Sequence, residues 1–182
     1  YREYVDLQKY IPGFNSDLVG KDQYADLIRT YLLLEHSGVW ADATLFCNAS
    51  LDPWLPSKTF LYSNPFPGRL IANWFISKGN DTVIDKWASV ITDYWNQVVS
   101  SDNYPSTPGW HHNTFNFCYN NDAEFRHMWD SSPKMSCEVS TSKGPHLLTP
   151  YKKHFVEDYT EDTVSAISKR SHKMFKLTHK QE

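Results

Sequence analysis

Three side chains in one short stretch have the types and spacing that chemistry needs: Asp26, Arg29 and Asp42. Asp26 and Arg29 lie three residues apart, which on a helix puts them on one face. Asp42 follows an apolar run of strand length, and a carboxylate at the tip of a buried strand is where α/β enzymes commonly hold a metal or a ligand. A buried carboxylate without a partner is costly, so Asp42 there requires a cation or donors. Thr44, two residues on, offers a second oxygen on the same side of an extended chain. The plainer readings are a surface ion pair across one helical turn, worth little, and an acidic turn residue.

The histidines and the basic end supply further candidates. His111 and His112 follow the turn-rich stretch Ser100–Gly109, a place where binding residues often sit. Adjacent histidines cannot both point one way from a strand, so at most one is a candidate ligand. His146 after Gly144-Pro145, and His172 and His179 near the end, are separate candidates. Lys173, Lys176 and Lys180 read either as a solvated face or as a phosphate clamp.

The elements that must position these groups are legible in outline. Between Asp22 and His36 the apolar positions Tyr24, Leu27, Ile28, Tyr31, Leu32 and Leu34 predict a helix, with Asp22 at its positive end and Gly38 past its exit. Val39–Phe46 is a near-continuous apolar run, predicting a buried strand. Thr59–Tyr62 and Leu70–Ile76 predict two more strands around a Pro- and Gly-rich turn. Asp81 or Thr82 starts a second helix whose stripe is Val83, Ile84, Trp87, Ile91, Tyr94, Trp95 and Val98. Helices are also expected through Phe115–Tyr119, over Asp122–Trp129 and over Tyr159–Ile167. Early alternation of strands and helices favours an α/β sheet with parallel pairing.

Composition narrows the function classes. The 182 residues suit one domain with a substantial core. The first residue is Tyr1, so the chain reads as a piece excised from a longer polypeptide. A net charge of -3 argues against nucleic acid as a partner. No apolar run approaches the roughly 18 residues of a membrane span. Three cysteines, an odd and scattered set, fit a reducing compartment, and a cytoplasmic location is expected. Asn48-Ala49-Ser50 and Asn80-Asp81-Thr82 match the glycosylation sequon, as chance allows in a chain of this composition. Aromatic residues make up 15%, a surplus that fills cores and also suits stacking on sugars.

Tyr24-Ala-Asp-Leu-Ile-Arg29, Leu32-Leu33 and Gly38-Val-Trp-Ala-Asp-Ala-Thr44 together resemble the nucleotide-sugar glycosyltransferases of the capsular-polysaccharide-synthesis type. Those enzymes are related to outer-chain mannosyltransferases and to glucosylating toxins. Weaker resemblance runs over Tyr4–Ile11, Leu51–Leu55, Asn73–Ile76 and Lys176–Thr178, and a glycosyltransferase domain of a large DNA virus is one compatible source. The resemblance implies a GT-A fold: a Rossmann-like, mixed and mainly parallel sheet flanked by helices, here a single domain over residues 1–182. The strand that cradles the base is then expected ahead of Tyr1.

It also implies roles. Asp42 matches the first acid of the Asp-x-Asp motif, where manganese or magnesium bridges to the donor diphosphate, with Thr44 at the motif's third position in place of the second Asp. Asp26 and Arg29 match a pair that contacts donor sugar and ribose. Trp40 matches an aromatic beside the nucleotide, and Asn73 an asparagine near the sugar. Lys176 and Lys180 would neutralise phosphate, and His179, with His146 in reserve, would be a second metal ligand. Ser37 stands where the family's first glycine is usual. The implied reaction is metal-dependent, retaining transfer of a hexosyl or deoxyhexosyl group from a UDP-sugar to a glycan or glycoprotein acceptor. Front-face attack is favoured, since no nucleophile stands out. The competing readings are a non-catalytic carbohydrate-binding module, motivated by the aromatic surplus, and a scaffold domain in which Asp42 only ends a strand.

Overall fold

The computed structural model describes residues 4–63, 68–106, 109–135, 146–147, 165, 168–169 and 174–176. Two short 3-10 turns, Leu7–Lys9 and Ser16–Leu18, precede helix α1 (Lys21–His36). Strands β1 (Gly38–Ala41), β2 (Leu45–Cys47), β3 (Phe60–Ser63) and β4 (Ile71–Lys78) follow. Helices α2 (Val83–Ser101), α3 (Trp110–Asn121) and α4 (Ala123–Ser131) come next, then β5 (His146–Leu147) and β6 (Met174–Lys176). The protein is mixed α/β. No described helix is long and apolar enough to cross a membrane.

Helix α1 starts and stops where the sequence predicts. The Gly20 N–H donates to Gln23 Oε1 at 3.1 Å, which satisfies one of the donors that a helix start leaves over. Asp22 lies in the first turn, where the helix dipole favours a carboxylate. The chain leaves through Ser37 and Gly38, both at positive φ (59° and 86°), a reversal that a side chain at Gly38 would strain.

The apolar run Val39–Phe46 does not form the single buried strand expected of it. A turn at Asp42–Leu45, closed by the Leu45 N–H donating to the Asp42 carbonyl at 2.9 Å, divides it into β1 and β2. The halves join different sheets, ordered β1-β4-β3 and β2-β6-β5, each as an edge strand. An edge strand is paired on one side only. Val39 and Phe46 are 40% and 43% exposed accordingly. A near-continuous apolar run carries no mark that distinguishes a central strand from two edges.

The mainly parallel, Rossmann-like sheet is likewise not what the described residues form. Neighbouring β3 and β4 are joined by residues 64–70, too short for the crossover of about a dozen residues that parallel strands need, so they run antiparallel. Strands β2 and β6 pair antiparallel, Leu45 opposite Lys176 and Cys47 opposite Met174. Strands β5 and β6 pair in parallel, His146 opposite Phe175. Alternation of element types fixes neither strand direction nor order.

The chain divides into two compact units. The first comprises Tyr1–Trp40, Pro56–Phe60 and Ser77–Ser132. In it α1 packs on α2, α2 on α3 and α4, and α3 on α4. Its core holds Leu27, Ile28, Tyr31, Trp87, Ile91, Trp95, Phe115 and Phe125, and rings meet edge to face at Trp87–Phe115 and Phe115–Phe125. The α2 stripe is buried as predicted, with Tyr94 half-buried. Asp81 assists its start by accepting from the Val83 N–H at 3.2 Å and from the Thr59 N–H and hydroxyl. Helix α3 begins at Trp110, earlier than expected, so His111 and His112 are helical rather than in a loop. Helix α4 is capped by Asp122, which accepts from the Glu124 and Phe125 N–H groups.

The second unit comprises Ala41–Leu55, Leu61–Ile76 and Pro133–Glu182. Tyr62 stacks on Trp74 at 5.1 Å, and Phe75 lies between Trp54 and Tyr62. Among the described residues eight aromatic rings are fully buried, Trp87, Trp95, Tyr31 and Tyr62 among them, so much of the aromatic surplus is core. The helix expected over Tyr159–Ile167 falls almost wholly outside the described residues.

Candidate functional site

Asp26 and Arg29 lie on α1 within the run 26–31, every residue of which is buried. They do pair across one turn, Arg29 Nη2 to Asp26 Oδ1 at 3.3 Å, but not on the surface: their side chains are 8% and 10% exposed. Two charges removed from water in this way are retained at a desolvation cost that apolar residues would not incur. The guanidinium also lies over the Trp40 ring, 5.1 Å from its centroid, where the negative face of the indole attracts it. Of the residues expected to contact a donor, the first unit thus brings Asp26, Arg29 and Trp40 into one cluster.

A fourth member comes from α3. His111 is fully buried, with Nδ1 3.6 Å from Asp26 Oδ1 and Nε2 3.0 Å from Thr30 Oγ1. Its ring stacks on Trp87 at 4.2 Å. The Trp87 indole N–H donates to Thr114 Oγ1, and the Thr114 hydroxyl donates to the His111 carbonyl. Burial pushes the imidazole pKa well below 6.5, and the charges of Arg29 and His112 act in the same direction. His111 is therefore neutral at physiological pH. His112 is also buried.

Asp42 belongs to the second unit. Its N–H donates to the Trp74 carbonyl of β4 at 2.9 Å, and its carbonyl accepts from Leu45, so main-chain bonds hold the turn. Asp42 and Thr44 are half-buried. Because the chain turns here, the alternation expected to put their side chains on one side does not apply. Asn73, half-buried on β4, is the neighbour of Trp74 in the chain. Lys176 lies on β6 with its backbone opposite Leu45, one residue past Thr44. The second unit therefore gathers Asp42, Thr44, Asn73 and the Lys176 backbone around one turn. His146 lies on β5, beside β6. His179 and Lys180 fall outside the described residues.

Among the described residues no group of three or more His, Cys, Asp or Glu could hold a metal ion. The donors at the turn are one carboxylate and one hydroxyl, oxygens that suit a hard cation sharing its other positions with phosphate and water. A soft thiolate site is not suggested by Cys118, which is buried away with its thiol pushed up to about 12 by burial.

Sequence reasoning missed the part His111 and Thr30 play. The signal was present: Gly109 before the run, then Trp110, Thr114, Phe115 and Cys118 at helical spacing, would have put His111 on a buried helical face.

The family model described as capsular polysaccharide synthesis protein matches residues 1–182. The chain belongs to that family. No curated protein and no solved structure matches it. Membership in the capsular polysaccharide synthesis family points to a part in building polysaccharide, with a glycosyltransferase-like character and sugar donor and acceptor as the partner class.

Proposed function

We propose that this protein is a metal-dependent, retaining glycosyltransferase of GT-A type that moves a hexosyl or deoxyhexosyl group from a UDP-sugar to a glycan or glycoprotein acceptor. The observation that carries the reading is the buried Asp26–Arg29 pair with Trp40 over the guanidinium, in a chain of this family. A buried ion pair adds little stability over apolar residues, so its retention points to use. Asp26 and Arg29 supply a hydrogen-bond acceptor and a fixed fork of donors, the complement of sugar and ribose hydroxyls. Trp40 offers a flat apolar wall for the nucleotide.

Asp42 and Thr44 would hold the divalent cation together with the donor diphosphate. That cation, when bound, stabilises the negative charge that develops on the leaving diphosphate. Lys176 and Lys180 would add positive charge near phosphate, Asn73 would bond the sugar, and His179 or His146 would complete the metal's ligands. No nucleophile is assigned, and the acceptor hydroxyl gives its proton to the departing phosphate on the same face. In this reading residues 1–182 act as a single glycosyltransferase domain, working in the cytoplasm, where free thiols such as those of Cys47 and Cys118 persist.

The test is calorimetric titration of UDP with and without manganese, followed by turnover on a panel of UDP- and GDP-sugars. Manganese-dependent UDP binding and transfer from a UDP-sugar are expected. Sugar binding indifferent to chelator and nucleotide would instead establish the carbohydrate-binding module.

A further inference from the structure

Helix α3 presents to water a face unlike that of the other described helices. Helices α1, α2 and α4 each carry acidic and basic residues, whereas Trp110–Asn121 contains no Asp, Glu, Lys or Arg. Its buried side is His111, Thr114, Phe115 and Cys118, and the helix packs on α2 and α4. The opposite side holds Asn113, Asn116, Phe117 and Asn120, spaced i, i+3, i+4 and i+7 and so confined to one strip. Phe117 is 56% exposed, Asn113 and Asn120 are exposed, and Asn116 is half-buried. We propose that this strip is a binding surface for an uncharged stretch of glycan chain, and that it shares no residue with the donor assignment.

Charge is the first argument. A solvated helical face normally carries charged residues. A face without them has no ion to strip of water when a neutral ligand covers it. Each amide presents two N–H donors and a carbonyl acceptor, the match for a sugar hydroxyl that both donates and accepts. The Phe117 ring offers a flat apolar wall to the C–H side of a sugar ring. From Asn113 to Asn120 the strip runs roughly 10 Å, the length of a disaccharide unit. The charges that border its far end are engaged within the fold. Arg126 donates to the Tyr119 and Asn120 carbonyls at 2.8 Å and lies over the Tyr119 ring, and Asp130 accepts from the Tyr119 hydroxyl. No cation of α3 is there to attract an acidic polymer. The second argument is cost. Asparagine is a weak helix former because its amide competes for backbone groups, so Glu, Lys or Ala at 113, 116 and 120 would serve the helix better. Membership in a polysaccharide-synthesis family supplies a growing chain as the partner class that such a strip fits.

Affinity electrophoresis through gels containing dextran, yeast mannan or galactan tests the surface, with hyaluronan as the anionic control. At least one neutral polymer is expected to retard the protein, and Phe117→Ala is expected to weaken that binding about ten-fold. Asn113→Ala and Asn120→Ala should also weaken it while holding or raising Tm, a combination that a purely structural role would not give. UDP affinity in excess manganese should be unchanged in all three variants. No retardation by any neutral polymer overturns the proposal, as does retardation by hyaluronan alone. Equal retardation of wild type and all three variants overturns it too. A concentration-dependent dimer in gel filtration that Phe117→Ala abolishes would assign the strip to a second copy of the chain and overturn the glycan proposal. The inference rests on the family's part in polysaccharide building and not on the donor reading. If manganese-dependent UDP binding fails while Phe117-dependent retardation holds, the donor reading falls and this surface stands.

Discussion

Replacing Arg29 by Met tests whether the buried pair is as coupled as its geometry indicates. The substitution keeps an unbranched stem of similar length in the space beside Trp40 and removes the charge. Asp26, 10% exposed, then keeps a carboxylate in the core without its guanidinium at 3.3 Å. Breaking a buried pair from one side costs about 3 to 5 kcal/mol. The lower end applies, about 3 kcal/mol, because the Asp26 side chain keeps 10% of its exposure and with it some contact with water. In a chain of this length that corresponds to a fall in Tm of about 6 to 12 °C. The double variant Asp26→Asn with Arg29→Met removes both charges, and it should be more stable than the sum of the two single changes by about 1 kcal/mol or more. Guanidinium denaturation followed by near-UV circular dichroism measures all four proteins. A single-variant cost below about 0.5 kcal/mol, the size of a surface pair, would refute the reasoning, as would strict additivity.

Asp42→Ala should abolish transfer from a UDP-sugar and manganese-dependent UDP binding. The melting curve should hold, because main-chain bonds to Trp74 and Leu45 keep the turn; a variant with wild-type turnover would remove Asp42 from the mechanism. Gly79→Ala should destabilise the first unit by about 2 to 3 kcal/mol, since the added Cβ overlaps the Lys58 carbonyl carbon and the Thr59 nitrogen, which are backbone and cannot rotate away. An unchanged Tm would count against that packing. The depressed pKa of His111 has a defined sign: the unfolded chain takes up a proton near 6.5 that the folded chain resists, so stability is full above that value and falls as pH drops below it. His111→Phe should therefore lose less stability than wild type on acidification from neutrality, and parallel Tm–pH curves would contradict a buried neutral imidazole.

What could be read from residues alone was read where one dominant pattern operates. Helix α1 is legible because Asp22, the apolar spacing and Gly38 agree, and α2 because its stripe recurs at helical intervals through Val98. The halves of the Val39–Phe46 run were not, since periodicity says nothing of which neighbour a strand will pair with. Nor was the burial of Asp26 and Arg29, because a charged pair three residues apart looks the same whether water or protein surrounds it. His111 was hidden for another reason: it follows the turn-rich stretch Ser100–Gly109 and so reads as a loop residue.

The sequence by itself determined α1, α2 and α4, the places of β3 and β4, and the family, because those depend on residue type and local spacing. Only the tertiary structure decided strand direction and edge position, the neutral state of His111, and its approach to a carboxylate 85 residues earlier in the chain. The physical reason is that desolvation and long-range pairing depend on which surfaces the folded chain brings into contact, and no local pattern records that choice.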